Sequence, residues 1–379
     1  MSKLSTYRTE CMGFAALMIY LFHCVPQFFT GKKLLDSTLL WYLKYGTFFG
    51  VDLFFLLSGF GLSYSFEHHP IRSMKGYKRY LIRRLVRIYA VYAPALALIA
   101  LVDRMPPGKF LSELFLIRQF ADELYTRLWF IPAIIVFYAA APLCYRLYEA
   151  SGRSEASGAR SAIRRRKLFT VIMIILTLFV LFAGRTVIRG DLFSMLTRIP
   201  CFLVGFLLGY IARMDADPAG EFQTGRASVR ESVCGKQPGS KTVLQDFSAA
   251  LCVITGIGLV LLLDRGKIPE IIPAEDALFS ELVGAGTAIL LPEFLDRLRQ
   301  TSFLRAPGKI LMAVLRLFGS ISLEFYCVQE WTWSKIKPLQ LPHGALLNFC
   351  ICVVLALFLH WIANGIRRLP RMTQPSGSS

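Results

Sequence analysis

Seven residues of this chain combine reactive side chains with apolar surroundings: His23, Asp52, Arg84, Arg87, Arg198, Glu324 and Gln329. An ionisable group inside an apolar run is costly, so it usually faces a cavity or a partner. His23 closes the run "GFAALMIYLFH" (13–23). Its imidazole titrates near neutrality and can take a proton from a hydroxyl or form a covalent adduct. Asp52 interrupts "FFGVDLFFLLSGF" (48–60), and a carboxylate can orient a histidine and stabilise its imidazolium. Arg84 and Arg87, in "YKRYLIRRLVRIYAVY" (77–92), are neighbours on one side of a helix. Their forked donors suit a phosphate group, although the same charges also anchor loops beside anionic lipid. Arg198 and Gln329 offer donors to a developing oxyanion, with Glu324 close by. Ser58 and Gly59 read as small residues that let helices approach closely.

The elements that must position these groups are membrane helices. The chain has 379 residues, 55% of them hydrophobic, only 18% charged, and a mean hydropathy of +0.50. Apolar windows approaching twenty residues recur along its length, which predicts an all-α polytopic membrane protein. Ten helices are expected, over 10–29, 46–66, 88–102, 128–144, 168–184, 191–212, 246–263, 276–296, 310–334 and 344–366. They form one membrane domain over 1–366, followed by a short tail over 367–379. Of the 43 Lys and Arg residues, 28 fall in alternate loops and 13 in the others. That bias predicts both termini on the cytoplasmic side and accounts for the formal charge of +18 without nucleic acid. The nine cysteines form no CxxC pair or His-Cys cluster, so neither a disulfide framework nor a bound metal is expected. With ~1.5 Å of rise per residue, His23 and Asp52 each lie roughly 9 Å below the outer face. Arg198 and Gln329 fall within about a turn of that level, which suggests one shared cavity.

Six phrases, in order, carry a resemblance. "GFAALMIYLFH", "FFGVDLFFLLSGF", "RRLVRIYAVY", "LWFIPAIIVFYAAAPL", "RIPCFLVGFLLGY" and "FGSISLEFYCVQEW" resemble acyltransferase family 3. These are integral membrane O-acyltransferases of polysaccharide, lipopolysaccharide and peptidoglycan. The resemblance implies a multi-pass plasma-membrane enzyme that takes an acyl group, acetyl first of all, from cytoplasmic acyl-CoA. The acceptor would be a hydroxyl of a glycan or lipid-linked sugar, with polysaccharide-synthesis proteins as partners and no metal. His23 and Asp52 would be catalytic, and Arg84 and Arg87 would hold the phosphates of the donor. Arg198, Glu324 and Gln329 would serve the substrate or the oxyanion. Two departures stand out: the family usually has an arginine where this chain has Met12, and a histidine where it has Gln329. Those losses keep open two other readings, a glycan transporter and a catalytically silent partner of a synthesis complex.

Overall fold

A computed structural model describes residues 2–24, 47–117, 128–152, 159–184, 190–216, 240–264, 275–301, 305–341 and 343–372. About nine-tenths of the described residues are helical, and no strand occurs among them. In chain order the helices are α1 (Ser2–Thr6), α2 (Arg8–His23), α3 (Gly50–His68), α4 (Met74–Val102), α5 (Pro107–Leu114), α6 (Phe130–Gly152) and α7 (Ala159–Ala183). There follow α8 (Gly190–Leu196), α9 (Ile199–Ala216), α10 (Ser240–Asp264), α11 (Glu275–Gln300), α12 (Arg305–Ser320), α13 (Ser322–Ile336) and α14 (Gly344–Met372).

Every apolar segment expected from the sequence is helical, but their lengths differ from expectation. Among the described residues, five helices are long and apolar enough to cross a membrane: Met74–Val102, Phe130–Ala150, Ile163–Ala183, Leu192–Ala212 and Gly344–Arg368. The expected ninth span is two helices, α12 and α13, bent by 79° at Ile321; taken as one broken span, it makes a sixth. Gly50–Phe66 and Phe247–Leu259 are shorter apolar helices. The continuation of α2 over 25–29 lies outside the described residues. Helix α4 begins fourteen residues before the expected boundary, where Ser73 Oγ accepts from the Gly76 amide at 3.1 Å and caps it. Arg84 and Arg87 therefore project from a continuous helix rather than from a loop.

Helix α7 turns Leu168, Val171, Ile172, Ile175, Leu176 and Phe179 outward. Water would penalise such a surface, whereas lipid does not. Inside, aromatic rings fill the space between α3, α6 and α9: Phe55 meets Phe137 at 4.9 Å and Phe137 meets Phe202 at 4.7 Å between centroids. Small residues let the helices cross. A Cβ on Gly59 would fall 2.2 Å from the Phe202 carbonyl oxygen, so α3 and α9 touch backbone to backbone there. A Cβ on Gly13 would fall 1.8 Å from the Leu315 carbonyl oxygen at the crossing of α2 and α12. Gly13→Ala is expected to cost about 2 kcal/mol by forcing those helices apart. Gly365, with open space around it, is the control, and the check is the midpoint of thermal unfolding in detergent for both alanine variants.

At the chain's start, Lys3 Nζ lies 2.6 Å from Glu293 Oε2 and 2.9 Å from Asp296 Oδ2. Partial burial draws the Lys3 pKa down, but hydrogen bonds to those two carboxylates outweigh it and hold the value above normal. This charged latch docks α1 on the end of α11 and leaves α2 to begin beside the site.

Candidate active site

Helices α2, α3, α4, α6, α13 and α14, with the end of α12, enclose a cavity of about 300 Å³. Arg84 and Arg87 line it from α4, Ser58 from α3, Tyr138 from α6, and Tyr326 and Glu324 from α13. Two further arginines reach it from the outermost helices: Arg8 opens α2 and Arg367 lies near the end of α14. The guanidinium of Arg84 sits 5.2 Å from the Tyr138 ring centroid and 5.5 Å from that of Tyr80. Those rings fix its direction by cation–π attraction. Charge counting assigned Arg8 and Arg367 to a loop and a tail. The helices outrun their apolar windows, so these two charges lie on helix faces instead.

Glu324, expected to serve substrate or oxyanion, lines the cavity and is also held by protein groups. Its Oε1 lies 2.9 Å from His360 Nδ1 and 3.9 Å from Arg367 Nη2. Arg367 Nη2 also donates to the Arg87 carbonyl oxygen at 3.5 Å. The carboxylate is 2% exposed, and a buried charge needs such partners. Glu324 therefore braces the wall that carries Arg87 and Arg367.

A second cavity, of about 10 Å³, shares Ile19, Phe54, Ser322 and Tyr326 with the first and ends at Gln329. Gln329 is fully buried, and among the described residues neither its Nε2 nor its Oε1 has a hydrogen-bond partner. An amide left bare in an apolar wall is costly, and this one borders a cavity. The next residue, Glu330, turns its carboxylate toward His23, with Oε1 3.5 Å from Nδ1. The Phe22 ring packs against the imidazole edge, 4.9 Å between centroids.

The expected partnership of Asp52 with His23 is not the one formed. Ser280 Oγ of α11 donates to Asp52 Oδ2, and Arg198 Nε lies 3.1 Å from Asp52 Oδ1. Among the described residues, Glu330 is the carboxylate that faces His23. Equal depth put Asp52 and His23 at one height, but height says nothing about which side of a helix a residue occupies. Asp52, Cys201 and Glu281 also place their ligand atoms within 4.8 Å of one another. The Arg198 guanidinium beside Asp52 puts a positive charge where a cation would sit, so this donor set does not suit a metal.

A sequence profile for an acyltransferase domain matches residues 13–365, nearly the whole chain. The chain belongs to acyltransferase family 3. No curated protein and no solved structure matches it. The matched region begins after Arg8 and ends before Arg367, so the two arginines that reach the cavity from the helix ends lie outside it. Of the residues expected from the sequence, Arg84, Arg87 and Glu324 share the large cavity of this membrane acyltransferase, and Gln329 borders the small one. Asp52 and Arg198 form a separate pair.

Proposed function

We propose that this acyltransferase moves an acyl group, acetyl first of all, from cytoplasmic acyl-CoA to a hydroxyl of a glycan or lipid-linked sugar at the outer face of the plasma membrane. The proposal includes ten spans with both termini in the cytoplasm. The observation that carries it is the sequence of groups along α2 and α13. Arginines gather at one end, a bare amide borders the small adjoining cavity, and a histidine lies farther along α2. Arg8 and His23 are fifteen residues apart on α2, about 22 Å at ~1.5 Å per residue. A donor with a polyanionic end and a long arm to its thioester suits that separation.

In this reading Arg84 and Arg87 hold the donor phosphates. The thioester carbonyl comes to Gln329, whose Nε2–H donates to the oxyanion as it forms. Glu330 faces His23 Nδ1 and steadies the imidazolium, which leaves Nε2 to take the proton of the acceptor hydroxyl. The acceptor oxygen bonds to the carbonyl carbon, the carbon–sulfur bond breaks, and the departing thiolate recovers a proton from His23. Labelled acetyl-CoA supplied to membranes tests the reading, with label sought on extracted glycan. Arg84→Glu with Arg87→Glu is expected to raise the KM for acetyl-CoA at least about tenfold, the size of one lost charge-assisted hydrogen bond. An unchanged KM would return both arginines to a purely topological role. Absence of label on glycan from the wild-type protein would sink the acyl-transfer reading itself.

A further inference from the structure

Met12 lines the large cavity at the position where the family usually carries an arginine. A thioether has no hydrogen to donate and no charge, so the donor's phosphates gain little from it. One turn earlier on the same face of α2, Arg8 lines the same cavity. Its Nε donates to the Leu57 carbonyl oxygen at 3.2 Å. That bond pins the guanidinium against α3, and among the described residues neither Nη has a hydrogen-bond partner. The sequence of α3 makes room for it: a Cβ on Gly61 would stand 2.6 Å from both Cζ and Nη2 of Arg8.

The charge balance points the same way. Among the described residues, no carboxylate pairs with Arg8, Arg84 or Arg87, whereas Arg367 has Glu324 at 3.9 Å and Arg316 has Glu10 at 2.6 Å. Three unmatched guanidiniums converge on one half-enclosed space, where like charges repel and a polyanion is favoured. We infer that Arg8 is a phosphate ligand of the donor cavity, taking from one turn lower the place an arginine at position 12 would hold. The inference rests on the donor reading above and adds a residue to it. It also explains how this chain tolerates methionine at position 12.

Binding of coenzyme A and of pantetheine to the purified full-length protein tests it, because pantetheine has the same arm without the nucleotide phosphates. Arg8→Gln is expected to weaken coenzyme A binding roughly tenfold or more and to leave pantetheine binding unchanged. Adding Met12→Arg to Arg8→Gln is expected to restore most of the lost affinity, a recovery that a purely structural role for Arg8 would not give. Thermal unfolding of each variant separates lost binding from lost folding. If coenzyme A binds and Arg8→Gln leaves its affinity unchanged, or weakens both ligands equally, Arg8 is not a phosphate ligand and the donor reading stands. If the wild-type protein does not bind coenzyme A, the donor reading falls and this assignment with it.

Discussion

Replacing His23 with alanine is expected to lower acyl transfer by a factor of at least about a hundred, the usual contribution of a positioned general base. Membrane expression and coenzyme A binding should be preserved, because the imidazole stands far from the arginines. Gln329 cannot replace it: a glutamine neither titrates nor accepts a proton at neutral pH. Glu330→Gln should have a smaller effect of about tenfold, since it removes the orienting charge and keeps the imidazole. Radiolabel transfer per folded molecule checks both variants. Full activity in His23→Ala would exclude the proton-transfer role. Equal losses in the two variants would mean that Glu330 acts in the reaction and not only on the histidine.

Asp52→Ala is expected to act mainly on stability, by about 3 kcal/mol. Asp52 is fully buried, and its partner Arg198 is nearly so. Removing the carboxylate would take the ion-pair partner from a largely buried guanidinium and the acceptor from the Ser280 hydroxyl. A second change, Arg198→Met, should recover part of the loss, because it removes a buried charge that has lost its counter-ion. The measurements are unfolding midpoint and specific activity of the folded fraction, taken together. A collapse of activity with an unchanged midpoint would place Asp52 in the reaction after all.

The apolar windows identified every long helix among the described residues, because a lipid-facing or core-facing segment must be apolar along its length. They did not identify helix ends, because a helix can continue into water on its own hydrogen bonds. That is why α4 starts at Met74, and why Arg8 and Arg367 read as loop charges while the structure turns them into the cavity. The break at Ile321 was equally hidden: "FGSISLEF" contains no proline, and the bend arises where the Gly319 backbone meets α2. The pairing of His23 with Glu330 escaped for a different reason. Depth arithmetic ranks residues by height, but Asp52 and Glu330 differ in azimuth, which only helix packing determines. The arginine pair on α4 was legible, because i and i+3 positions share a face whatever surrounds the helix.

The small cavity at Gln329 has one more consequence. A space of about 10 Å³ holds about one water molecule, and it is walled by Ala16, Ile19, Phe54, Phe325 and Tyr326. A hydrated ion cannot enter such a space without shedding its water, which apolar walls do not replace. In the topology proposed above, a protein that hands an acyl group from one side of the membrane to the other must do so while remaining an electrical insulator. In that topology the aromatic rings around Gln329 would provide the insulation.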